Sequence, residues 1–417
     1  MTADRLSIAQ AQRAWWLAQG FAPSTERAPD EVLAAHTWAR ALGGADPYFA
    51  LFARGVPVDF GVVEEALRSG AIRISPAVRG CMYLVPKAHA DACLAVAQRL
   101  TAKRNARDLD KAGGTARQLT KTTKAVLAAL DRDGPATTTE LRKHAKVAKA
   151  ITSFGAKGKK VGLSSSLPPA LRTLEFEGAI ERRPVGARLD TESFEWSVRR
   201  RGLEPGRDDL HELLQWLAQL FFGWYGPASL EHFVTWSGAT KTAAREAIAA
   251  LEDTLVEVEV EVVGRDEPVA MLASPASLEL AHSRAKAKGE ALVGLQDPFL
   301  VVRGGPACVC PPAQLDLEIP RWGRSGGGPI RSTQYPHLRS VLVDGQLAGF
   351  WEVDAALEAQ HLTWLTRPSK AAAKRVERQL RAVRGFMAES LGHAKIYAID
   401  SAKKIDARFE LVRELEV

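Results

Sequence analysis

Gly-Pro-Ala occurs twice in this chain in the same setting, as Gly134-Pro135-Ala136 and as Gly226-Pro227-Ala228. Each copy follows an apolar helical stretch and is followed at once by a hydroxyl residue, Thr137 in one case and Ser229 in the other. Glycine supplies a left-handed exit from the first helix, proline fixes φ, and the hydroxyl caps the next helix. After both copies the pattern runs helix, turn, helix, hairpin. A unit that returns after about 90 residues points to tandem winged helix-turn-helix modules rather than to one large sheet.

In the second unit, helices are expected over 120–130, 140–145 and 164–178, with a wing formed by 179–183 and 194–199. Leu167, Leu171, Leu174 and Phe176 mark the 164–178 segment as the recognition helix. The third unit starts at Asp208, with helices over 210–224, 229–236 and 240–251 and paired strands over 256–263 and 268–272. The first unit reads as helices over 6–19, 31–42, 47–54 and 61–69, short strands over 71–75 and 82–85, and a long helix from Pro86 towards Arg107. From Leu292 the chain turns to Gly/Pro-rich loops with strands over 299–302, 340–343 and 347–353, a hairpin turn at Asp344-Gly345, and an amphipathic helix over 369–391. The expected fold is therefore α+β and mainly helical. Tandem winged helix-turn-helix units would form a C-shaped body with a small C-terminal α/β domain, with boundaries at 1–115, 116–203, 204–290 and 291–417. At 417 residues, 46% hydrophobic and 25% charged, the chain can bury several cores.

Charge is concentrated in one place. Leu100–Lys160 holds 15 Lys/Arg against 5 Asp/Glu, while the whole chain carries only +7, so the remainder is slightly acidic. Clustered cations repel unless a polyanion is near, and nucleic acid is the commonest soluble polyanion. Double-stranded DNA is the expected partner. The expected contacts are Arg142, Lys143, Lys146, Lys149, Lys157, Lys159, Lys160 and Arg172 of the second unit, with Arg79, Lys241, Arg245 and Arg378 outside it. If ~5 of the lysines each met one phosphate, log K would fall with log[salt] at a slope near −4.5. The third unit offers Lys241 and Arg245, but Glu246, Glu252, Asp253, Glu257, Glu259 and Glu261 follow. So acidic a wing is expected to pack on its neighbours.

Other chemistries are poorly represented. No run of 18 apolar residues exists, and Asp4, Arg5 and Arg13 break any signal-peptide layout. Cys308 and Cys310 form a CxC pair without a second pair in zinc spacing. Together with Cys81 and Cys93 they read as reduced thiols of a cytoplasmic protein, with no metal and no cofactor expected. The Gly-Arg-Ser-Gly-Gly-Gly run at 323–328 lacks the Lys-Ser/Thr of a phosphate-binding loop and reads as a flexible loop. Core is the default role of Trp15, Trp216 and Trp224; Trp16 and Trp38 could instead line a base-sized pocket.

Five blocks carry a resemblance: LGGADPYFALFAR from Leu42, RGCMYLVP from Arg79, WYGPASLEHFVTWSG from Trp224, LQDPFL from Leu295 and VLVDGQLAGFW from Val341. In these the chain resembles the AlkZ/YcaQ family of bacterial winged-helix DNA glycosylases, which excise alkylated bases or unhook interstrand crosslinks. The resemblance implies a monomer active in DNA repair, on the nucleoid. It also implies a catalytic Gln-x-Gln or Gln-x-Asp directly before Asp-Pro. Here the two slots before Asp46-Pro47 hold Gly43 and Ala45, and the family's histidine after Met-Arg-Gly is replaced by Tyr83. Cleavage through an oxocarbenium-like transition state needs a carboxylate or amide to stabilise charge and position water. Asp46, His36 and Tyr83 are the substitutes at hand, although Asp46 also suits an N-terminal helix position and His36 a core. The expectation is a double-stranded DNA-binding relative of these enzymes with weak, unorthodox or lost base excision. The alternatives are an active alkylpurine or crosslink glycosylase and, without a visible dimerisation element, a transcription regulator.

Overall fold

A computed structural model describes residues 4–200, 209–251, 253–321 and 326–415. The boundary expected at 203/204, the start of the third unit at Asp208 and residues 323–325 of the Gly-rich run lie outside the described residues.

The Gly-Pro-Ala repeat organises two units in the same way. Ala136 pairs with Trp196 on the second strand of its hairpin, and Ala228 bridges Leu272 on the second strand of the other. The next residue then caps a helix with a reciprocal box: Thr137 with Glu140, and Ser229 with His232. The glycines differ. Gly134 has φ +86°, whereas Gly226 has φ −70° and is needed for space, because a Cβ there would sit 2.5 Å from the Phe222 carbonyl oxygen.

The second unit comprises helices Ala116–Asp133, Thr138–Lys143, Ala145–Ala150, Gly155–Lys160 and Leu167–Phe176, then the hairpin Ile180–Pro184/Phe194–Val198. Val126, Leu130, Leu141, Leu171, Leu174 and Trp196 form its own core. The third unit comprises helices Leu210–Tyr225, Leu230–Ser237 and Lys241–Ala249, with the hairpin Val256–Val260/Val269–Ala273. Its acidic wing is paired along one edge: the N-terminal strand Asp4–Leu6 pairs in parallel with Val256–Val260, in the register Asp4 to Val258, and Arg5 meets Glu261 at 3.0 Å, while Glu257 and Glu259 stay exposed.

The first unit carries helices Ile8–Ala18, Pro29–Ala35, Asp46–Phe52 and Phe60–Arg68, the hairpin Ile72–Pro76/Met82–Pro86, and the long helix Lys87–Lys111. The helix expected over 31–42 stops at Ala35. The chain then extends so that Ala39 and Arg40 add a short strand opposite Leu84 and Tyr83. Sheet pairing overrides the helical pattern there. The C-terminal region is a four-stranded antiparallel sheet, Glu290–Val293, Arg339–Val343, Gln346–Val353 and Gln360–Trp364 in that spatial order. Helices Lys370–Phe386 and Ala402–Glu414 flank it. The 299–302 segment is not a strand. Asp297 caps the Phe299 N–H at 3.0 Å and Pro298 opens a single helical turn, Pro298–Val301.

Apolar clusters cross the units. Phe49 and Tyr48 of the first pack with Trp351, Val383 and Phe386 of the C-terminal region. Trp15 and Trp16 join Val258, Phe299 and Phe350. Trp16 and Trp38 are each 1% exposed, Trp38 inside a cluster with Tyr83, His89, Trp216, Trp224 and Trp236, so neither lines an open pocket. No helix among the described residues is long and apolar enough to cross a membrane.

Candidate functional site

The segment before Asp46-Pro47 is sealed on one side by the strip Lys395–Ala398. A Cβ on Gly44 would lie 2.3 Å from the Ile396 backbone, so only glycine fits. Ala45 is fully buried and donates its N–H to the Lys395 carbonyl at 2.8 Å. Gly43, at φ +72°, is different: its side-chain direction meets Glu192 Cγ at 2.7 Å and Ala398 Cβ at 2.8 Å. Glu192 comes from the loop joining the wing strands of the second unit, so the side-chain stem of an acidic residue from another unit fills the space beside Gly43.

The three substitutes in the sequence are otherwise engaged. Asp46 accepts the Leu295 N–H at 2.6 Å on one oxygen and Arg339 Nε at 2.9 Å on the other. His36 Nδ1 donates to the Ala18 carbonyl at 2.8 Å, so Nε2 accepts from Arg27 at 2.9 Å. Burial, with the charges of Arg54 and Arg27, lowers His36 to about 4 against the pull of the Ala18 carbonyl; it is a neutral structural imidazole. Tyr83 is buried, its hydroxyl accepting from Arg40 at 3.3 Å.

Glu192 stands in an open cleft with the hydroxyls of Thr137–Thr139, Arg188, Asp190, His393 and Lys395. Asp190 is committed within it. Arg188 donates to both its oxygens at 3.0 and 2.6 Å, and His393 Nε2 reaches it at 3.0 Å. Burial opposes the Asp190 charge, but the bonds from His393 and Arg188 outweigh it and hold the carboxyl below the usual range. His393 Nδ1 accepts the Lys395 N–H at 3.2 Å, leaving that ring no spare nitrogen.

The cations of the second unit are only partly gathered. Lys146 and Lys149 line one open groove with Lys121 and Lys124, together with Ala125, Ala128, Ala129, Ala150, Arg132 and His144. None of the four lysines has a carboxylate partner among the described residues, and Asp133 engages only Arg132 and His144, at 2.7 and 3.0 Å. Lys157, Lys159 and Lys160 lie exposed on Gly155–Lys160, and Arg142 and Lys143 on the last turn of Thr138–Lys143. Lys121, Lys124, Ala128 and Arg132 are spaced 3, 4 and 4 apart, so a helical-face reading of this segment would have found them.

The expected recognition helix is not free. Leu167–Phe176 buries six of its ten residues. Its outer side docks on the long helix Lys87–Lys111: Phe176 packs with Leu94 and Ala97, and Arg172 donates to Asn105 at 3.2 Å. Two of its sides are thus covered, while Arg172 stays exposed on the remaining one. Elsewhere, Lys241 is paired with Glu231 at 2.8 Å, while Arg245 and Arg378 are exposed on their helices. Arg79 does not line the lysine groove and donates to the Tyr335 hydroxyl at 3.2 Å.

The model of the family described as "DNA glycosylase AlkZ-like" matches residues 7–386. The chain belongs to this family. Among solved structures, this AlkZ-like chain is similar to the Streptomyces sahachiroi DNA glycosylase AlkZ, with a TM-score of 0.65 at 19% identity, over 94% of this chain and 99% of that one. No curated protein sequence matches it. At that identity the structural likeness speaks for the fold: the AlkZ-like chain is α+β, mainly helical, with winged helix-turn-helix units, and is related to DNA-repair glycosylases.

Proposed function

We propose that this AlkZ-like protein binds damaged duplex DNA as a monomer, in the cytoplasm on the nucleoid, and excises alkylated purines slowly, with Glu192 standing in for the side chain that Gly43 lacks. The 2.7 Å approach of Glu192 Cγ to the side-chain direction of Gly43 carries this reading. Among the carboxylates bordering the segment, Asp46 and Asp190 are committed to partners, and Glu192 has none among the described residues. A purine alkylated at N7 is cationic and leaves without protonation, so the remaining demands are charge stabilisation at the sugar and a base for water. The C1′–N9 electron pair leaves with the purine, the water oxygen bonds C1′, and the water proton passes to Glu192. The lysine groove would hold the duplex through its phosphates.

The test is release of 7-methylguanine from a duplex by the purified protein and by Glu192→Gln. Release by the wild type, reduced at least about a hundredfold in the variant, supports the reading. A second reading, lesion binding without excision, is favoured by the full engagement of Asp46. No base release combined with salt-dependent binding to lesion-bearing duplex would select it.

A further inference from the structure

Arg40 and Arg79 border one narrow cleft together with Tyr83, Thr235, Gln296 and Tyr335. No Asp or Glu lines it. Arg40 is the cross-strand partner of Tyr83, with its guanidinium carbon 5.2 Å from the ring centroid and Nη1 3.3 Å from the hydroxyl. Arg79 sits at φ +57°, ψ +9°, a conformation that a long side chain adopts at a cost. Gly238 makes room for it: a Cβ there would lie 2.7 Å from Arg79 Cγ. The backbone is thus bent so that Arg79 Nη1 reaches the Tyr335 hydroxyl at 3.2 Å.

Both guanidiniums lack a carboxylate partner among the described residues, and the Nε of each is buried with no hydrogen bond. The carboxylates of the adjoining cavity are taken. Asp46 is held by Leu295 and Arg339, and Asp297 by both nitrogens of the Arg54 fork and by the Phe299 N–H. Two like charges kept half-buried side by side are costly without an anion. The two phenols accept from the arginines, which leaves each O–H proton able to donate outward. Two forks of N–H donors and two hydroxyls match the oxygens of one phosphoryl group.

We infer that this cleft binds a single phosphate of the nucleic-acid backbone. Because the cleft shares Arg40, Gln296 and Pro298 with the cavity at Asp46-Pro47, that phosphate lies beside this cavity. The inference rests on the duplex binding proposed above, so its test has one arm that needs no DNA. In that arm, inorganic phosphate is titrated while the arginine Nε–Hε resonances are followed. The signals of Arg40 and Arg79 shift together, and the Arg79 shift disappears in Arg40→Met. Absence of any shift in the wild type overturns the site.

In the second arm, duplexes with one abasic analogue carry a neutral methylphosphonate at each flanking position in turn. At one position the substitution weakens wild-type binding by roughly tenfold, the factor of a charged hydrogen bond. The same substitution leaves Arg40→Met or Arg79→Met almost unaffected. Arg40→Lys and Tyr335→Phe, which keep the packing, give intermediate losses at the same position and guard against misfolding of the methionine variants. Losses that simply add at every position overturn the backbone assignment even if phosphate shifts the arginines. Loss of all duplex binding, with the phosphate shifts intact, refutes the duplex reading while keeping the anion cleft.

Discussion

Asp46 and Arg339 meet at 2.8 Å although 293 positions separate them in the chain. The pair opens a buried relay. Arg339 also holds Glu352, Glu352 holds Arg408, and Arg408 holds Asp400, which ties the start of the Asp46–Phe52 helix to the C-terminal sheet and its last helix. A charge left alone in this relay has no solvent to turn to, since Arg339 and Glu352 are fully buried.

Asp46→Ala is therefore expected to cost about 3 kcal/mol of folding stability, the loss typical of breaking a buried pair on one side. Denaturant unfolding checks this. Any activity the variant loses should return when it is assayed well below its melting temperature; a dead but fully stable variant would give Asp46 a chemical role.

Replacing Lys121, Lys124, Lys146 and Lys149 together by alanine should flatten the salt dependence of duplex binding. Every phosphate that is no longer neutralised removes about 0.9 from the log–log slope, so a change of up to about 3.6 is expected. Fluorescence anisotropy over a salt series measures it. An unchanged slope would mean that the duplex lies elsewhere.

Phe176→Ala should destabilise the protein by about 3 kcal/mol, because it empties the seam between Leu167–Phe176 and the long helix Lys87–Lys111. Arg172→Ala, by contrast, should leave sequence preference on DNA unchanged, as its partner is Asn105. A selection experiment on randomised duplexes in which Arg172→Ala alters the preferred sequence would restore this helix as a reader of bases.

Stability should fall as the pH drops from neutral towards 4. His36 and His232 are both lowered to about 4, chiefly by burial, with Arg303 adding to the effect at His232. An unfolded histidine titrates near 6.5. Between those values the unfolded chain binds more protons than the folded one, so the stabilisation present above pH 6.5 is lost on acidification and is gone below pH 4. His36→Gln should flatten the curve of unfolding free energy against pH between 4 and 6.5. A curve identical to the wild type would show that His36 does not contribute.

Local chemistry was readable wherever neighbours along the chain decide the outcome. The repeated Gly-Pro-Ala turns, the Thr137 and Ser229 caps and the Asp344-Gly345 hairpin follow from φ preferences and from hydrogen bonds spanning three residues. The helix expected over 31–42 and the strand expected over 299–302 failed because pairing with Tyr83 and Leu84 in one case, and the Asp297 cap in the other, outweighed apolar pattern. Glu192 could not be found from the sequence, since its significance is only its distance to Gly43, across two units. Arg40 and Tyr335 were invisible for the same reason.

The chain alone carries its repeat, its class of fold and the gap of side chains at Gly43 and Ala45, because these are properties of residue type and short-range spacing. Which carboxylate borders that gap, which helix is covered and which arginines are left facing each other depend on how the units dock. Docking is set by apolar burial summed over surfaces hundreds of residues apart, and burial of that kind leaves no periodic trace in the order of amino acids.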